Sequence, residues 1–213
     1  MIFSSKFIKA NDAICDFNNH VPAPYMRPEF DLPFSPEKAE ITICGLGFYE
    51  LYINGKNVIG ILLGNGFRNP FGGFVWDFHI AACRGPVAVA FALEAFAGEE
   101  TFLLEADETV KTHPSPITFN EIRMGCRYDA RLEIPNWAEL DFDDKNWESA
   151  MPAQMPAGIQ KLCKADPIVI TDRRSPVFGR YLEYGQVDVF VCKGDLSLRS
   201  TRKAGDRMDT RGR

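Results

Sequence analysis

The feature that most narrows the fold is a pair of short alternating runs joined around glycines, EITIC (40–44) and FYELYI (48–53), the second leading straight into Asn54-Gly55. Side chains that alternate with a period of two suit a strand half-buried on one face, whereas a helix repeats every 3.6 residues. Asn-Gly is the favoured dipeptide of a tight two-residue hairpin turn, because both residues tolerate positive φ. The sequence therefore predicts a hairpin at this point and an antiparallel sheet around it.

The rest of the chain keeps the same style. NVIGILL (57–63) is a third apolar run. It is followed by GNGFRNPFGGFVWDF (64–78), in which four glycines and a proline interleave with Phe67, Phe71, Phe74, Trp76 and Phe78, the composition of an aromatic loop. PVAVAFALEAF (86–96), TFLLEA (101–106) and TVKTH (109–113) come at the spacing of sequential antiparallel strands. The first of these is almost wholly apolar and belongs at the centre of a sheet, covered on both faces. PSPITFNEIR (114–123) and YDARLEI (128–134) precede an acidic, aromatic, turn-rich stretch at 136–150 that allows a short helix around Trp137 to Leu140. MPAQMPAGIQ (151–160) reads as a linker or loose edge segment, DPIVITD (166–172) as one more strand, and the charged 199–213 as a disordered tail. Long helical periodicity and internal repeats are absent, so the fold class is all-β: an antiparallel sandwich or barrel with short helical turns.

Composition excludes several functions. The 213 residues carry a net charge of −5, which offers no attractive field to phosphate backbones or anionic lipid, so no nucleic-acid or membrane partner is expected. The amino-terminal stretch lacks a continuous apolar segment, and the chain reads as cytoplasmic. Six cysteines are spread evenly with no C-x-x-C pair, and His20, His79 and His113 have no acidic partner at ligand spacing, so neither a metal site nor a cofactor is expected. The glycine-rich segments at 45–50 and 64–73 are followed by no Lys-Ser or Lys-Thr, which argues against a phosphate loop.

Taken as a string, GLGFYELYINGK (45–56) resembles the amino-terminal domain of bacterial α-L-rhamnosidases, in which such a phrase follows an entry strand matched here by Ala23, Pro24, Arg27 and Phe30. LLGNGFRNPFGG (62–73), YDARLEI (128–134) and FDDKNWESA (142–150) fall in the order the family has them, so the resemblance covers residues 20–177. It implies a jelly-roll-like, galactose-binding-domain-like β-sandwich ahead of a large (α/α)-barrel that cleaves terminal α-L-rhamnose with inversion. Inversion needs a carboxylic acid and a carboxylate about 6.5–9.5 Å apart, and in the family these lie in the barrel, past the end of this sequence. The resemblance thus divides the chain into an extension (1–19), the sandwich (20–177) and an atypical, partly disordered tail (178–213). Only Asn57 to Leu63 separate the INGK and GNGF phrases, where the family has a longer insertion, so one or two strands are expected to be missing and a sheet edge exposed.

Two groups of residues are candidates for chemistry. Asp129, Glu133, Asp141, Asp143 and Asp144 are close enough in sequence for a local carboxyl pair, but they stand among turn-formers that ordinarily cap or solvate, so no catalytic residue is assigned. The aromatic loop is the better candidate. Sugars stack their C–H faces on aromatic rings while polar groups satisfy the hydroxyls, and Arg68, Asn69, Trp76 and Asp77 supply both. The expected function is an accessory, carbohydrate-contacting module whose partners are rhamnose-containing glycans or a catalytic (α/α)-barrel. The alternatives are a free-standing carbohydrate-binding protein or a non-functional remnant of a shortened gene.

Overall fold

The computed structural model describes residues 1–16, 18–54, 57–70, 77–165, 176–182 and 187–192. Met1–Gln160 form one compact unit and Lys161–Arg213 a second. In the first unit the strands are β1 (Phe7–Lys9), β2 (Pro24–Arg27), β3 (Lys38–Leu46), β4 (Phe48–Asn54), β5 (Val58–Gly64), β6 (Ala88–Ala97), β7 (Glu100–Glu105), β8 (Lys111–Pro114), β9 (Ile117–Glu121), β10 (Gly125–Tyr128), β11 (Glu148–Ser149) and β12 (Met151–Ala153). The second unit holds an antiparallel pair, β13 (Pro176–Leu182) and β14 (Val187–Cys192).

Two antiparallel five-stranded sheets make the sandwich. One runs β12-β1-β6-β3, with β7 also paired to β6; the other runs β11-β8-β2-β5-β4. As the sequence predicts, 86–96 supplies the central strand. The full length of β6 pairs with β3, from Lys38↔Phe96 to Leu46↔Ala88, while β1 and β7 share its other edge.

Alternation puts Val89, Phe91 and Leu93 of β6 against Ile59, Ile61 and Leu63 of β5, joined in the core by Ile8, Met26 and Val110. Burying side chains of this size stabilises the fold by about 1.5–3 kcal/mol each. The other face of β6 carries Ala88 and Ala90, small enough for Phe7, Leu46 and Ala153 to pack over them.

The hairpin forms, with one adjustment. Its register pairs Asn54 with Val58, so three residues connect the strands instead of two, and Gly55 and Lys56 lie outside the described residues. Residues 1–19, expected as an extension, contribute β1 to the sheet between β12 and β6. No helix forms at 137–140. Asn136 and Asp141 take left-handed φ values of 60° and 63° at the two ends of the stretch, and a single turn, closed by Glu139 N–H donating to the Asn136 carbonyl at 2.9 Å, stands between them. YDARLEI ends β10 and continues as a 3-10 turn at Ala130–Leu132. The 166–172 strand and the 199–213 tail fall outside the described residues. Among those that are described, no helix is long and apolar enough to cross a membrane.

Candidate functional site

The loop after β5 is built on asparagine. The Asn65 backbone N–H donates to Asn120 Oδ1 at 2.6 Å and its side-chain amide donates to the Asn120 carbonyl at 3.0 Å, which ties the end of β5 to β9. Asn69 Nδ2 donates to Asn65 Oδ1 and to the Gly85 carbonyl, both at 2.8 Å, while Asn69 Oδ1 accepts from Gly85 N–H at 3.2 Å. Both amide hydrogens of Asn69 are thereby used, and the residue is 2% exposed. Its place is in the scaffold that holds the loop, where a buried amide must be satisfied internally.

Arg68 lies along the same strip. Its Nε approaches the Pro86 carbonyl at 3.4 Å, and a Cβ on Gly85 would meet its guanidinium at 2.6 Å, so glycine is what lets the arginine lie flat there. Phe67 projects outward, 68% exposed, edge-on to Phe48 at 6.2 Å. Asp77 is exposed and precedes a 3-10 turn at Phe78–Ile80. Arg68 and Asn69 are thus brought together on the Gly85–Pro86 strip; Trp76 lies outside the described residues. Beside the asparagines, Cys15, Pro24, Leu63, Asn65 and Asn120 border a cavity of about 20 Å³, room for a single water. Asn120 Nδ2 is buried without a protein partner.

A second constellation, not singled out from sequence, covers the outer face of the β2-containing sheet. Outward-facing Tyr25 stacks on Trp137 with ring centres 4.0 Å apart, Tyr52 meets Trp137 edge-on at 5.5 Å, and Trp147 packs between His113 and Phe142. Arg27, fully buried, reaches from β2 to Glu29 at 2.7 Å, Asp144 at 2.5 Å and the Glu139 carbonyl at 2.9 Å. One guanidinium thus clamps the acidic segment onto the sheet. The alternation in Tyr25-Met26-Arg27 was a visible signal that the first and third of these share a face, but nothing local reveals that Trp137 and Asp144 come to meet them.

The clustered acids separate into distinct duties. Asp129 accepts from Arg131 N–H, Nε and Nη2 at 3.1, 2.8 and 2.5 Å, and these hydrogen bonds hold its carboxyl down to about 2. Glu133 accepts the Tyr128 hydroxyl at 2.6 Å, which pushes that phenol up to about 12. Asp144 is spent on Arg27, Asp143 faces Lys145 at 3.8 Å, and Asp141 borders an open hollow with Glu139, Phe142 and Asp143. A general acid needs a carboxyl held protonated near neutral pH. Asp129 is driven the opposite way. Among the described residues no group of three His, Cys, Asp or Glu side chains is placed to hold a metal.

Residues 54–172, more than half the chain, match the family described as "Alpha-L-rhamnosidase N-terminal domain". Two α-L-rhamnosidases of Formosa agariphila are similar to it. One is 29% identical over 193 aligned positions, covering 68% of this chain and 20% of the relative; the other is 27% identical over 116, covering 54% and 12%. The chain therefore spans a fifth or less of these relatives' length. Because 193 positions take in only 68% of a 213-residue chain, the first relative has residues within the aligned span with no counterpart here. The solved α-L-rhamnosidase of Dictyoglumus thermophilum superposes with a TM-score of 0.65 at 25% identity, over 84% of this chain and 24% of that one. That of Aspergillus terreus gives 0.62 at 18% identity, over 71% and 21%, and shares the fold.

Proposed function

Since the chain belongs to the α-L-rhamnosidase N-terminal domain family, we propose that it is a non-catalytic accessory module, supporting or orienting a rhamnosidase catalytic domain and contacting rhamnose-containing chains through the loop that presents Phe67, Arg68 and Asp77. The observation that carries this reading is the share of each relative that is matched: the aligned part of the chain corresponds to only 12–24% of enzymes named as α-L-rhamnosidases. The engagement of Asp129 by Arg131 and of Asp144 by Arg27 supports it, because neither carboxylate is left poised for proton transfer. The test is to assay the full chain on an aryl α-L-rhamnoside, alone and mixed with a separately produced catalytic region of a relative. The expectation is background hydrolysis alone and measurable association in the mixture. Appreciable hydrolysis by the chain alone, lost in Asp129→Asn or Asp143→Asn, would overturn the reading.

The exposure of Phe67 beside Arg68 favours a second reading, a carbohydrate-binding protein that works by itself. Titration with rhamnose-containing oligosaccharides, followed by tryptophan fluorescence, separates the two. A response in the wild type that Trp76→Ala removes, with no association to a catalytic region, selects it.

A further inference from the structure

We propose that the flank formed by β3 and β4 joins two copies of this chain side by side, β4 against β4 in antiparallel register about Leu51. The two strands are consecutive, separated only by Gly47, and each forms the edge of a different sheet on the same side of the sandwich. Among the described residues neither has a second partner strand. Such an edge is a row of unpaired backbone donors and acceptors, a template for another strand.

Proteins blunt such edges with proline, bulges, very short strands or inward-pointing charge. None of these is used here, and charged side chains, the other device, are confined to Lys38 and Glu40 at the start of β3 and to Glu50 in β4. The ladders run without a register break from Lys38↔Phe96 to Leu46↔Ala88 and from Phe48↔Gly64 to Asn54↔Val58. Neither strand contains proline, and the positions packed toward the core are Ile41, Ile43 and Leu51. The seam is apolar where it meets solvent: Ile53 is 61% exposed, Phe48 46% and Tyr52 39%.

Self-complementarity selects a second copy as the occupant. Antiparallel pairing about Leu51 sets Leu51 opposite Leu51, Tyr49 opposite Ile53, and Glu50 opposite Tyr52. The Tyr52 hydroxyl donates to the Glu50 carboxylate within one strand at 2.6 Å, and across the axis it lies opposite a second Glu50 carboxylate, to only one of which its single proton can be donated at a time. Glu50 is the only charge in β4, and this register sets its two copies diagonal to each other, about 7–8 Å apart, instead of face to face. A register centred on Glu50 would instead set two carboxylates face to face, which is destabilising. In β3, pairing about Thr42 similarly sets Ile41 opposite Ile43 and Glu40 opposite Cys44, with no like charges opposed.

Sedimentation equilibrium of the full chain over a concentration series tests this, with Ile53→Lys as the disrupting variant and Ile159→Lys, at a residue 87% exposed outside the flank, as the control. Cooperative melting of both variants checks that they fold. The expected result is a wild-type dimer, unchanged in Ile159→Lys and weakened at least about tenfold in Ile53→Lys, where a charge enters the seam. Amide exchange at 38–54 should slow as concentration rises. A wild type that stays monomeric, a dimer indifferent to Ile53→Lys, or protection of 38–54 only on adding a rhamnosidase catalytic region would each overturn the proposal. The last outcome would leave the accessory-module reading standing, so the two fail separately.

Discussion

The sandwich passes from one sheet to the other within a single residue at two places, Gly47 and Ala150, and the flanks at these crossings are unlike. At Ala150 the flanking strands β11 and β12 have two and three residues, Pro152 sits in the edge, and the crossing residue is 4% exposed with its N–H donating to the Val110 carbonyl at 2.8 Å. At Gly47 the flanking strands have nine and seven residues and no proline. One edge is short and interrupted, the other long and regular. A crossover therefore does not by itself close a sandwich; strand length and what lies over the edge decide it. The short flank follows the acidic segment, which is pinned before it, since Arg27 holds Asp144 and Trp147 packs beside it on Phe142. The segment leading into β3 has lighter ties, with partly exposed Glu29 on the same Arg27 at 2.7 Å and Phe30 stacked on Phe102 at 5.8 Å.

The largest effect should come from removing that clamp. Arg27→Met leaves Asp144 and the Glu139 carbonyl without their cation and is expected to cost about 3–5 kcal/mol, the usual penalty for breaking a buried pair from one side. Chemical denaturation measures it. A loss below about 1 kcal/mol would put Arg27 in the class of surface ion pairs and erase the contrast between the flanks.

Gly47→Ala should follow, at about 3 kcal/mol. Its φ is +130°, and a Cβ there would lie 2.1 Å from the Gly64 carbonyl oxygen, backbone that cannot move aside. Ala150→Gly, at the other crossing, should cost only about 1 kcal/mol through chain entropy and a lost methyl. Equal losses at the two sites would show that the crossings are equivalent after all.

Gly60→Ala probes the cover on the β2-containing sheet. Its methyl would come within 2.6 Å of the Ala138 Cβ and 2.8 Å of the Trp137 ring, so about 1–3 kcal/mol of overpacking is expected, together with a change in tryptophan fluorescence. Unchanged fluorescence would mean that Trp137 is not seated on β5.

The smallest effect is a titration. Burial, then the hydrogen bond to Glu50, raises the Tyr52 phenol from its ordinary 10 to about 12. With the folded value above the unfolded one, the contribution is fully present below pH 10 and is lost as pH rises through 12. Alkaline melts of the wild type should therefore fall more steeply over that window than those of Tyr52→Phe. Tyrosinate absorbance showing Tyr52 ionising near its ordinary value would remove the argument.

Some of this was legible in the chain. The apolar run at 86–96 announced a central strand, because a strand covered on both faces has no polar side to show. Asn54-Gly55 announced a hairpin, although turn residues fix that a reversal occurs more firmly than how many residues close it. The loop at 64–78 was recognisable by composition, yet the burial of Asn69 was not, since an asparagine looks the same in sequence whether its amide meets a ligand or the Gly85 backbone. Phe7–Lys9 is too short to signal a strand alone and becomes one only beside β6 and β12.

Sequence alone determined the alternation, the all-β class and the family likeness, because each is carried by residues close together in the chain. Tertiary structure decided which edges stay open, which acids are spent on arginines and which asparagine becomes scaffold. Those outcomes depend on partners as distant as Arg27 and Asp144, separated by 117 residues, and no local pattern encodes which distant group will arrive.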